Sequence, residues 1–346
     1  MPSIFRDFKK LALMNKFLFF IVTLFLWCCA PTQTTPIVHK GYALGTSYSV
    51  QYAPIKHSYE KVQKGLDSLF EVLNKSLSTY VPDSDISKIN RGDSLLVVDE
   101  HFENVYAMAS EVWKKTNGYF DPTVGALVNA YGFGPDTDYT PISESQRDEI
   151  LTYTGWNKTR ITSKKTVLKT HPQLYFDFNA LAKGYVVDQL AYYLQQLGSE
   201  NHLVEIGGEL VAQGKSPRSQ KWWTIAIENP NREEEKTLIK TLALQDKAIA
   251  TSGNYRKFKI EEATGKRLVH SINPKTGNPF PTEVLSASVI APTCMQADAY
   301  ATALMVMPLE ESKALIEREP HVEAYWIVAD STGFKEVFSK GFLDSE

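Results

Sequence analysis

The chain predicts an α+β fold, on three observations. Apolar residues recur at helical spacing in two long segments, and apolar and polar residues alternate in others as they do along half-buried strands. These two patterns are interspersed without the regular strand–helix–strand spacing of a parallel α/β sheet. With 346 residues, 43% hydrophobic and 22% charged, the chain can bury a large core, and we expect a single large domain of two closely packed lobes. A net charge of −3 without a dense Lys/Arg block speaks against a broad nucleic-acid-binding face.

In chain order, the first element is a targeting segment. Arg6, Lys9, Lys10 and Lys16 precede an apolar run from Phe17 to Trp27. That run is short for a span of about 20 residues and suits the core of a signal peptide. Leu26-Trp27-Cys28-Cys29 resembles a bacterial lipoprotein cleavage site. Residues 1–28 are therefore expected to be a signal peptide, Cys29 the lipid-bearing first residue (Cys28 second choice), 29–40 a tether and 41–340 the folded domain. Met14 offers an alternative start, and a plain membrane anchor with unmodified cysteines is the competing reading. Either way the body of the protein is expected outside the cytoplasmic membrane, on the periplasmic side. Of three cysteines only Cys294 remains in the body, which excludes an internal disulfide framework there and reads as a buried small apolar residue.

The segment from Gly41, GYALGTSYSVQY, is strand-like. Val62, Leu66, Leu69, Phe70 and Leu73 trace one helical stripe. A second stripe runs through Phe102, Val105, Met108, Ala109, Val112 and Trp113 and stops at Asn117-Gly118. Between them, Pro82, Asp83 and Asp85 predict a turn into a short helix. Leu203 to Gly214 and Trp222 to Glu228 alternate as strands around Gly207-Gly208.

Chemistry-bearing residues cluster in the punctuated segments. Asp298 and Thr302 in QADAYATAL stand at i,i+4, which on a helix puts a carboxylate and a hydroxyl on one face. Two hard oxygen ligands one turn apart suit Mg²⁺, which leaves other positions to water and substrate phosphates, although such pairs are also solvated or capping residues. Asp121 and Thr123 open FDPTVGALVNAYGFG, where Tyr131 and Phe133 flank Gly132. In DFNALAKGYVVDQL, Lys183 is either a point charge for a phosphate or a solvated residue, and Asp177 either binds a ligand or caps the following helix. ATSGNYRKF offers Thr251, Ser252, the Gly253 amide and Tyr255, and His270 in HSINPKTG is a candidate acid/base group.

The order and identity of these segments resemble the ApbE family of FAD:protein FMN transferases. GYALGTSY, LSTYVPDSDISKIN, FDPTVGALVNAYGFG, DFNALAKGYVVD, VEIGGELVAQGK, ATSGNYRKF, HSINPKTGNP and ADAYATAL occur in family order from Gly41 to about Met307. The resemblance implies Mg²⁺-dependent cleavage of FAD and attachment of FMN, through a phosphoester, to a threonine of a partner protein with release of AMP. It implies metal ligation by Asp298, Thr302 and the backbone carbonyl of Ala180. FAD is expected against Leu44, Tyr80, Tyr119, Phe120, Asp121, Asp177, Lys183, Ser252, Tyr255 and Ile272. His270 is the first candidate for general base and Asp298 the second. Leu44 stands where the family often has Met, and Tyr131 where Trp is common. The expected acceptors are threonine-containing subunits of membrane electron-transfer complexes. An FAD pyrophosphatase using water, or a flavin-binding lipoprotein without catalysis, are the alternatives.

Overall fold

The computed structural model describes residues 34–135, 142–228, 238–254, 258–261, 265–331 and 333–342. Residues 1–33, with Cys28 and Cys29, and Tyr255 lie outside the described residues. Strand formation starts at Ile37, within the stretch read as tether: β1 (Ile37–Ala43) and β2 (Thr46–Tyr52) form a hairpin. The first apolar stripe becomes helix α1 (Tyr59–Leu77), capped by the Ser58 side chain and burying Val62, Leu66, Phe70 and Leu73. The predicted turn leads into α2 (Asp85–Asn90), whose N-cap is Ser84. The second stripe is α3 (Glu100–Lys115), capped by Asp99 and followed by Asn117 and Gly118 with φ 50° and 79°. Short α4 (Gly125–Ala130) and α5 (Glu144–Tyr153) follow, then the β3 (Thr159–Ile161) and β4 (Val167–Lys169) ribbon.

Helix α6 (Ala182–Gln196) precedes β5 (His202–Ile206), β6 (Glu209–Gln213), β7 (Trp223–Glu228), β8 (Leu238–Leu244) and β9 (Lys247–Gly253). After the small β10 (Phe258–Ile260) and β11 (Arg267–Val269) hairpin come β12 (Val284–Ala291), α7 (Cys294–Leu304), α8 (Leu309–Ile316), β13 (Glu323–Asp330) and β14 (Gly333–Phe338). Eight strands form one sheet in the order β1-β2-β5-β6-β9-β12-β13-β14, antiparallel at every pairing. Because adjacent side chains on a strand point to opposite faces, this sheet feeds two cores. The larger packs α1, α3, α6 and α7 on one face, with Tyr52, Val204, Ala250, Val289 and Trp326 pointing into it. The smaller, on the other face, is closed by the β7–β8 ribbon through Trp223, Ile225 and Leu242 against Ile249, Ile290 and Ile327. One antiparallel sheet with helices segregated to a face is the α+β architecture expected, and its two cores are what the two closely packed lobes amount to.

Candidate functional site

The buried helices α6 and α7 bring the metal candidates together. Gly184 lets the two helices touch: a Cβ there would lie 2.3 Å from the Cys294 carbonyl oxygen, in backbone that cannot yield. The approach allows the Gly184 N–H to donate to Asp298 Oδ2 at 3.1 Å. One turn further along α6, the Asp188 carboxylate accepts from the N–H groups of Cys294 and Met295 at 2.8 and 2.9 Å. It thus neutralises the free donors at the start of α7. Burial nonetheless pushes Asp188 up to about 6, the two N–H groups opposing it. Cys294 itself is fully buried, as its apolar reading required.

Asp298 is 3% exposed. Burial pushes its carboxyl up to about 7, and Glu209 adds to this, while Lys183 and the Gly184 N–H pull the other way. Thr302 lies on the same face, its Oγ1 3.5 Å from the Ala180 carbonyl oxygen and 3.5 Å from Ser252 Oγ. A carboxylate, a hydroxyl and a backbone carbonyl from three segments therefore converge. Among the described residues no group of three His, Cys, Asp or Glu side chains stands ready to hold a metal. The oxygen-rich set fits a hard cation such as Mg²⁺, which tolerates few protein ligands, and not a softer ion wanting nitrogen or sulfur.

These oxygens open into a cleft of about 770 Å³ that Leu44, Tyr80, Tyr119, Phe120, Asp121, Asp177, Ala180, Lys183, Ser252, His270, Ile272, Asp298 and Thr302 all line. Every described residue predicted for the site is thus gathered in one place. Leu44 stands at the β1–β2 turn with φ 52°, a left-handed conformation costly for a branched side chain, beside Gly45 at φ 74°. The Gly207-Gly208 turn between β5 and β6 approaches the same tip, where a Cβ on Gly207 would sit 2.8 Å from Thr46 Cγ2. Two hairpin ends thereby form one wall. Tyr80, half exposed, and Tyr119, whose ring is 3.9 Å from the Lys275 ammonium, supply aromatic faces on another. His270 meets Phe133 edge to face, with ring centroids 6.4 Å apart.

Two predicted residues have local work beyond the cleft. Asp121 is buried, accepting from Thr123 N–H and Oγ1 at 2.9 and 2.6 Å and from Trp156 N–H at 2.9 Å, so its carboxylate knits the loop carrying Tyr119 and Phe120. Asp177 does not cap α6, which begins at Ala182 behind the uncapped Leu181; it accepts from the Asn179 N–H at 2.8 Å, shaping the turn that presents Ala180. The segment leading into Asp177 is held by Asn90, whose side chain exchanges hydrogen bonds with both backbone groups of Phe176 at 2.9 and 2.7 Å. Sequence reading missed Glu209, which lines the cleft and forms an ion pair with Lys183. Its signal was an acidic residue directly after a Gly-Gly turn, an unremarkable position until the fold brings it to α6.

A model of the ApbE family matches residues 44–326. The chain belongs to the ApbE family. Among its relatives, the FAD:protein FMN transferase of Haemophilus influenzae is 36% identical over 322 residues, covering 90% of this chain and 91% of the relative. That of Vibrio cholerae is 36% identical over 335 residues, covering 95% and 98%. The solved structure of the flavin transferase ApbE from Vibrio cholerae superposes with a TM-score of 0.82 at 34% identity, covering 90% of this chain and 99% of that one. ApbE membership thus rests on both sequence and architecture, and the cleft between α6, α7 and the hairpin tips falls within the matched span.

Proposed function

We propose that this protein transfers FMN from FAD to a threonine hydroxyl of an acceptor protein, in a Mg²⁺-dependent reaction that releases AMP. The observation that carries the reading is the convergence of Asp298, Thr302 and the Ala180 carbonyl at the floor of a cleft with aromatic walls. Asp298 and Thr302 would hold the cation, with Ala180 lending a carbonyl oxygen. When bound, Mg²⁺ neutralises the pyrophosphate and the charge developing on the departing AMP. Lys183 adds a point charge toward the phosphates, and Tyr80 and Tyr119 offer faces to the rings of FAD. The Leu44 tip, Phe120 and Ile272 supply apolar wall. Asp177 hydrogen-bonds the ligand, and Ser252 belongs to the flavin side.

In the transfer, the threonine oxygen forms a bond to the FMN-side phosphorus as the bond from that phosphorus to the AMP oxygen breaks. The hydroxyl proton passes to His270, the base we assign, with Asp298 the second candidate. Cys29 is taken as the lipidated residue of a lipoprotein tethered to the membrane, with the cleft on the extracytoplasmic side. Acceptors would be membrane electron-transfer subunits within reach of the tether.

The test is mass spectrometry of a threonine-containing acceptor after incubation with the protein, FAD and Mg²⁺, beside an Asp298→Ala control. A gain equal to FMN minus water, dependent on Mg²⁺ and absent in the control, is expected. AMP and free FMN without adduct would replace the transferase with a pyrophosphatase, and FAD binding without turnover would leave a flavin carrier.

A further inference from the structure

Lys183 and Glu209 form a device whose purpose the transfer chemistry does not by itself require. Lys183 is the second residue of α6, at the positive end of the helix dipole, so an ammonium there runs against that dipole. Two carboxylates answer that charge. Asp298 takes the Gly184 N–H, and Glu209, reaching over from the first position of β6, pairs with the Lys183 ammonium. Each is only 3% exposed. The other Glu209 oxygen, Oε2, is buried without a hydrogen-bond partner among the described residues. Glu209 therefore caps no helix and closes no loop, and its charge is balanced by the lysine. Lys183 also exerts the strongest of the influences that favour the Asp298 anion. One ammonium thus stands within the influence of two buried carboxylates, one of them in the cation set.

We propose that Glu209 is a positioning residue that holds the Lys183 ammonium off Asp298, leaving that carboxylate open to the divalent cation and the ammonium available to the substrate's phosphates. The proposal deepens the reading of Asp298 as a Mg²⁺ ligand and rests on it. Without the Glu209 charge, Lys183 turns to Asp298, and Mg²⁺ must displace a buried ion pair to bind.

The experiment is a titration of the full-length protein with Mg²⁺ alone, read by thermal stabilisation, alongside FAD affinity read by quenching of flavin fluorescence. Glu209→Gln is expected to raise the Mg²⁺ concentration for half-maximal stabilisation about tenfold, a loss of roughly 1.4 kcal/mol. Adding Lys183→Met removes the competing ammonium, so the double variant should regain wild-type Mg²⁺ response while binding FAD weakly. A structural role for Glu209 would not produce that recovery. Wild-type Mg²⁺ response in Glu209→Gln, or no recovery in the double variant, overturns the proposal. If the single variant does not fold, the double variant decides alone, since it must respond to Mg²⁺ as the wild type does. Undiminished Mg²⁺ response in Asp298→Ala would sink the cation-site reading and this proposal together. Dependence on Asp298 with indifference to Glu209 sinks only the proposal.

Discussion

Burial moves the Asp298 carboxyl toward the neutral pH range. Its folded value near 7 lies above the ordinary 3.8, because burial disfavours the anion. Stability contributed by its protonated form is fully present below 3.8 and is lost as pH rises through about 7. A cation that binds the anion offsets that loss, so thermal stabilisation by a fixed Mg²⁺ concentration should grow from pH 5 to pH 8 and vanish in Asp298→Asn. Equal Mg²⁺ effects at both pH values would count against ligation by this carboxylate. His270 should behave differently. As a base it acts only in the transition state, so His270→Ala should lower kcat by about 10²-fold with little change in FAD affinity. Parallel losses in both would make it a binding residue.

At the scale of elements, the site depends on one close helix crossing. Gly184→Ala forces a methyl group against the Cys294 carbonyl, so α6 and α7 must separate and the Gly184–Asp298 hydrogen bond must lengthen. Overpacking of this kind costs about 1–3 kcal/mol, which denaturant unfolding measures. Mg²⁺ affinity should fall with it, and a variant with full stability and full Mg²⁺ response would show that the crossing is looser than its geometry implies. The elements themselves were legible where periodicity is driven by burial. The Val62–Leu73 stripe and the Phe102–Trp113 stripe are α1 and α3 because a helix must hide one face. Helix α6 was harder to bound, since Asp177 looked like its cap, whereas a turn through Asn179 delays the helix to Ala182.

At the scale of the whole molecule, the proposed lipid anchor and the domain should be separable. With the lipid on Cys29, Cys29→Ser should move the protein from the membrane to the soluble fraction while the purified variant keeps its FAD turnover. Retention on the membrane would point to Cys28 or to the apolar segment itself as the anchor. Among the described residues no helix is long and apolar enough to cross a membrane.

What the sequence by itself determined was the α+β class, the ApbE resemblance and the motif residues that line the cleft, because motif residues and burial periodicity are local properties of the chain. Asp298 and Thr302 share a face simply by standing one helical turn apart. The tertiary structure alone decided which distant groups meet them. Gly184 supplies an N–H because α7 presses on α6, Ala180 turns a carbonyl to Thr302, and Glu209 reaches Lys183 from β6. Those contacts depend on the antiparallel order of eight strands, which sets the hairpin tips beside the start of α6. Strand order is a non-local choice, made by burying both faces of one sheet at once, and no single segment encodes it.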